Sequence, residues 1–183
     1  MRRSRSSLMA AVILVLLGGL GAVVAAQDDA ASERVVSQEA AFFDGTVRYP
    51  GRYLRGTTES VPEELKLLKR GDGWEFRGVE LSDPRLGGTW RTISNEDSYI
   101  RAGGVWTQAR RIDNAAGSWL GHFTGYRDSD GRWLHQGTLA GVGAYEGLTA
   151  IVFMEDTGGT YDIQGMVFPG ELPDAPDYPE PAQ

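Results

Sequence analysis

Between residues 45 and 168 apolar and polar side chains alternate in runs of eight to eleven residues, each ended by turn-forming residues. Alternation with a period of two predicts strands that bury one face and expose the other. Eight strands are predicted, at roughly 45–54, 74–81, 86–94, 103–112, 117–127, 132–141, 148–156 and 160–168. The links carry turn chemistry: Ser82-Asp83-Pro84-Arg85, Asp113-Asn114 through Gly117, Asp128-Ser129-Asp130-Gly131, and Thr157-Gly158-Gly159. Links this short make sequence neighbours pair as antiparallel hairpins. One stretch departs from the period. Ser60 with Glu63 forms a capping-box pattern, Pro62 suits a first helical turn, Lys69 and Arg70 suit a last one, and Gly71 suits a stop. One short helix is therefore predicted near 61–70. The alternative is a strand leading into a hairpin at Asp72-Gly73.

The stretch Gly137-Thr-Leu-Ala-Gly-Val-Gly-Ala-Tyr-Glu-Gly-Leu-Thr-Ala150 sets one aromatic among small residues. It reads as a tight corner in a curved antiparallel sheet, with Tyr145 filling the space that glycine leaves. Eight short antiparallel strands without a long crossover can close on themselves and remove exposed edges. This predicts an all-β, eight-stranded antiparallel up-and-down barrel, with a two-sheet sandwich as the alternative. Inside a tightly curved wall a ring can lie over the Cα of a glycine, so Trp119, Gly121, Phe123 and Gly125 are predicted to face inward. Leu120, His122, Thr124 and Tyr126 then face outward. The same logic groups Trp74, Phe76, Gly78 and Glu80 on one face, and Gly88, Trp90 and Thr92 on another. If Asp130-Gly131 is a two-residue hairpin loop, Phe123 lies opposite Thr138, and Gln136, Thr138 and Ala140 point inward.

Composition agrees with an all-β domain, since 25 glycines would be costly in helices. The ends of the chain differ from its middle. Arg2, Arg3 and Arg5 precede an uncharged apolar run and then Val24-Ala25-Ala26, the three-part layout of a signal peptide over 1–26. An uncleaved anchor is the alternative. A flexible polar spacer is expected over 27–41, the barrel domain over 42–169, and an extended Pro-rich tail over 170–183. Cleavage would remove three arginines and no acid, taking the formal charge from −7 to −10. Such a balance argues against nucleic acid and anionic membrane surfaces as partners. The chain has no cysteine, so no disulfide or thiolate chemistry is available. The expected location is secreted or on the exterior of the cell envelope.

Candidate chemistry is sparse. In the register above His122 faces Leu139 and His135 faces Tyr126, about 13 Å apart along the sheet, too far to share a metal. Both are expected on the outer face, and neither a metal nor a cofactor is expected. No GxSxG or Ser-xx-Lys pattern sets a nucleophile beside a base. Glu80, on the face of Trp74 and Phe76, is the candidate acid or base if it is enclosed, and a solvated rim residue otherwise. Arg85 is expected at the surface, capping carbonyls. The tryptophans are expected in the core, with an exposed position the alternative for Trp106 and Trp133.

The segment Gly141-Val-Gly-Ala-Tyr-Glu-Gly-Leu148 resembles the G-x-G-x-[FY]-x-G corner of the allene oxide cyclase and dirigent barrels. With Ser82 through Thr89, Gly117 through Gly121 and Gly165 through Gly170, it is also similar to secreted bacterial proteins of that barrel type. The resemblance covers about 81–170. It implies the barrel fold and, for the plant cyclases, cofactor-free catalysis through a buried glutamate, which these motifs do not map onto a residue here. The leading expectation is a non-catalytic barrel that binds a small, largely apolar ligand or serves as a recognition module. Glu80, Trp90, Trp119, Phe123 and Gln136 are its candidate contacts. A cofactor-free cyclase or isomerase using Glu80, and an exported structural domain with a filled interior, are the alternatives.

Overall fold

The computed structural model of the chain describes residues 36–48 and 51–175. The predicted signal peptide, most of the spacer and the end of the Pro-rich tail lie outside the described residues. Nine strands occur within them: β1 (Ala41–Arg48), β2 (Arg52–Val61), β3 (Lys66–Val79), β4 (Gly88–Tyr99), β5 (Gly103–Asp113), β6 (Gly117–Arg127), β7 (Trp133–Gly143), β8 (Leu148–Asp156) and β9 (Thr160–Pro169). All belong to one antiparallel sheet of order β1-β9-β8-β7-β6-β5-β4-β3-β2. There are nine strands rather than eight because the ribbon expected at 45–54 is two: β1 pairs with β9, and β2 pairs with β3. Pro50, in the sequence between them, lacks the N–H that a continuous ladder strand would use.

The helix expected near 61–70 is also corrected. Only a single 3-10 turn, Pro62–Glu64, joins β2 to β3, and Leu65 closes it with a φ of 50°. From Lys66 the chain pairs with β2 on one side and β4 on the other. Two neighbouring strands satisfy this backbone, whereas an isolated short helix would rely on its own few hydrogen bonds. Among the described residues there is no α-helix.

β1 and β2 are the two edges of the sheet, and β1 meets the chain beyond the end of β3 at one place. An isolated antiparallel bridge joins Gly45 of β1 to Leu81, just past β3. There the Ser82 N–H donates to the Asp44 carbonyl at 2.8 Å, and the Asp44 N–H donates to Ser82 Oγ at 2.8 Å. β2 runs beside β3 with almost every side chain exposed. Its charges at Arg52, Arg55 and Glu59 and its two register shifts discourage pairing with another chain.

The inner face carries the core. Trp119 and Phe123 are 0% and 1% exposed, as the glycine spacing predicted. The Phe123 ring lies on Gly137, and the Trp106 ring on Gly125, where any added Cβ would overlap them. Tyr145 fills the corner, stacked on Trp119 with ring centroids 5.1 Å apart. Each large side chain so buried contributes roughly 1.5–3 kcal/mol.

Two registers differ from expectation, and both move candidate residues. Phe123 pairs with Gly137, not Thr138. In the β6–β7 link, 128–132, the Asp128 N–H donates to the Arg132 carbonyl at 3.0 Å around a three-residue loop, Asp128 Oδ1 accepts from the N–H groups of Asp130 and Arg132, and Gly131 adopts a φ of 87°. A slip of one residue exchanges the two faces of a strand, so His135 turns inward while Gln136 and Ala140 turn outward. On β3 a register shift lies between Phe76 and Val79, with Gly78 at a φ of 63°. The extra residue gives the inward position to Val79 and leaves Glu80 exposed beyond the strand.

Candidate functional site

The interior divides into two ends of different character. One end is floored by the link 82–87, where Leu86 is fully buried. Asp83 takes the N–H of Arg85 at 3.0 Å, and its carboxylate pairs with the Arg85 guanidinium at 2.6 Å. Arg85 Nη1 donates to the carbonyls of Ser37 and Glu39 at 2.8 and 3.0 Å. This pins the last residues of the expected spacer beside the fold. The Arg85 carbonyl accepts from Trp119 Nε1 at 2.8 Å and from Asn114 Nδ2 at 3.0 Å, and the Leu86 carbonyl accepts from Trp90 Nε1 at 2.9 Å. Tyr145 OH donates to Asn114 Oδ1 at 2.7 Å. Arg85 does cap carbonyls, but it is buried in the floor instead of standing at the surface.

Above the floor the inner faces of β1, β3, β4, β5, β7, β8 and β9 border a cavity of about 100 Å³. Trp74, Phe76, Trp90, Trp106, Trp133 and Tyr161 form its aromatic wall. Arg110 of β5 projects into this region and is 5% exposed. Its Nη2 donates to Gln108 Oε1 at 2.6 Å and its Nη1 contacts Met154 Sδ at 2.6 Å. The guanidinium lies 4.2 Å from the Phe123 ring centroid and 5.1 Å from that of Trp90. No carboxylate among the described residues pairs with it. Burial lowers its pKa to about 9.

His135 stands beside it. The Trp106 indole donates to His135 Nδ1 at 3.2 Å. An indole N–H can only donate, so Nδ1 accepts, and the neutral ring carries its proton on Nε2. Burial, and next the charge of Arg110, lower this histidine's pKa to about 3. Three buried side-chain atoms have no hydrogen-bond partner among the described residues: Arg110 Nε, His135 Nε2 and Thr92 Oγ1. Thr92 and Arg110 are register partners across β4 and β5. Each such atom costs about 1–3 kcal/mol unless something in the cavity completes it.

The rim is charged. Glu96 accepts from Lys69 Nζ at 2.9 Å through Oε2 and from the Ser98 hydroxyl through Oε1. Lys69 and Arg127 both lie over the Trp133 ring, at 5.8 and 5.0 Å from its centroid. Asp72, which also borders the cavity, accepts from Trp74 Nε1 at 3.0 Å.

Of the predicted contacts only Trp90 lines this cavity. Trp119 and Phe123 face inward but are packed core, Phe123 as the ring beneath Arg110. Glu80 is exposed and not enclosed. Gln136 lies on the outer face, where it borders a larger open groove of about 910 Å³ with Tyr126, Phe153 and Gln164, all exposed. His122 is exposed on that outer face, so the two histidines lie on opposite sides of the sheet. Among the described residues no group of three or more His, Asp or Glu side chains could hold a metal, and no helix is long and apolar enough to cross a membrane. Sequence reasoning missed Arg110, Gln108 and Thr92 as a cluster. The available signal was parity: on β5 Gln108 and Arg110 share a face with Trp106 and Ile112. No protein-family model, curated protein or solved structure matches the chain.

Proposed function

We propose that the chain is an exported, non-catalytic β-barrel that binds one small molecule in its interior. The observation that carries this is the set of three partnerless buried atoms, Arg110 Nε, His135 Nε2 and Thr92 Oγ1, beside a cavity walled by aromatic rings. Folded interiors pair the large majority of their buried polar groups with protein or ordered water, so three in one place invite an occupant. The sheet supports a barrel through the bridge from Gly45 to Leu81 and the two hydrogen bonds between Asp44 and Ser82. A ring closed there counts eight strands, β1 with β3 through β9, and leaves β2 outside it. The likeness to the allene oxide cyclase and dirigent barrels belongs to the same proposal.

Catalysis by an enclosed acid has weaker support. Glu80 is exposed, and the two carboxylates bordering the cavity are engaged, Glu96 by Lys69 and Ser98 and Asp72 by Trp74. Native mass spectrometry of the protein from its own host's medium tests the binding reading. A co-purifying small molecule is expected, lost when the interior is altered by T92V or H135F. Only the bare chain mass, together with no thermal shift from a broad small-molecule panel, would leave the barrel a structural domain.

A further inference from the structure

Resting on the reading of the interior as a binding site, we infer that the group bound there is a carboxylate, seated against Arg110 with His135 Nε2–H and the Thr92 hydroxyl as neighbouring donors. Arg110 Nε and His135 Nε2 are both N–H donors, so what completes them must accept. Of the two hydrogen bonds that the guanidinium makes, one is to a thioether sulfur, a weak acceptor. A cationic group would be repelled by Arg110, and a neutral one would leave its charge unpaired. Water could supply acceptor oxygens but no counter-charge.

Shape narrows the class. A guanidinium offers adjacent N–H groups in one plane, which suits the two oxygens of a carboxylate. The volume of about 100 Å³ equals roughly three waters, room for a carboxylate on a short apolar stem. The stem would meet the rings of Trp90, Trp106 and Phe76. The resident acids do not occupy this role, because Glu96 is bound to Lys69 and Ser98 at the rim and Asp72 to Trp74. The occupant is thus smaller and more polar than the largely apolar ligand expected from the aromatic pattern alone.

The test compares acetate, propionate and butyrate with acetamide, propionamide and butyramide at pH 7 and fixed ionic strength. It uses the exported protein with ¹⁵N-labelled arginine and follows the Arg110 Nε–H resonance. At least one acid is expected to move that resonance downfield in a saturable way and to bind roughly tenfold or more tightly than its amide. R110M is expected to abolish the preference while the amide still binds. Should R110M fail to fold, the contrast between acid and amide in the unaltered protein decides. Amides binding as well as acids would overturn the carboxylate and leave the binding site standing. Neither series reaching Arg110 would also overturn the carboxylate, while the native mass spectrum and the small-molecule panel decide the binding reading separately.

Discussion

Two arginines are buried inside this sheet, Arg85 at 8% and Arg110 at 5% exposure, and the fold treats them in opposite ways. Arg85 has a carboxylate from Asp83 and two backbone carbonyls. Arg110 has an amide oxygen, a sulfur and two ring faces. Around Arg85 the indoles of Trp90 and Trp119 and the phenol of Tyr145 also find acceptors. Around Arg110 three polar atoms find none. A matched charge at the floor acts as a fastener between the link 82–87 and the strands above it. An unmatched charge beside a cavity costs stability in the folded chain by itself, and an anion bound there would offset that cost.

The largest test of the contrast is D83A, which would leave Arg85 buried without its counter-charge. A loss of about 3–5 kcal/mol is expected, read from the shift of the urea midpoint. Next comes acid sensitivity from His135. Its folded pKa of about 3 lies below the ordinary 6.5, so its contribution is complete above pH 6.5 and is lost as pH falls toward 3. The loss is on the order of 4 kcal/mol, and H135Q should flatten that part of a stability profile across this window. R110M should act in the opposite direction to D83A. Replacing an unpaired buried cation by an apolar chain of similar size is expected to raise stability of the ligand-free protein by about 1–4 kcal/mol. Thermal unfolding showing R110M and D83A equally destabilised would break the distinction. The smallest effect is E80Q, within about 0.5 kcal/mol in unfolding and without influence on binding, because Glu80 is solvated outside the cavity.

Much of the β-structure from residue 103 onward was legible, and the reasons are local. On β6 the spacing Trp119, Gly121, Phe123, Gly125 leaves little choice of face, because large rings need the curved interior and glycines make room for rings of adjoining strands. Tyr145 could be placed for the same reason. The candidate site was less legible. Gln136 and His135 exchanged roles because the loop after β6 holds three residues instead of two, and Asp128 stabilises either reading as a turn former. Glu80 lost its inward position to one bulge at Gly78. Arg110 carries a charge, and a charged residue in an alternating strand is ordinarily read as its solvent face.

The amino-acid order by itself determined an all-β chain, the antiparallel succession of its later strands, and the inward rings at Trp119 and Phe123. These follow from alternation, turn chemistry and the space between rings and glycines, all of which act over a few residues. Only the tertiary structure decided that 41–61 supplies both edges of the sheet, that 61–70 joins the β-ladder, and that Arg110, His135 and Thr92 border one cavity. Those outcomes depend on single-residue registers and on pairings between distant strands, and a one-residue slip reverses every face without altering the local pattern that suggested it.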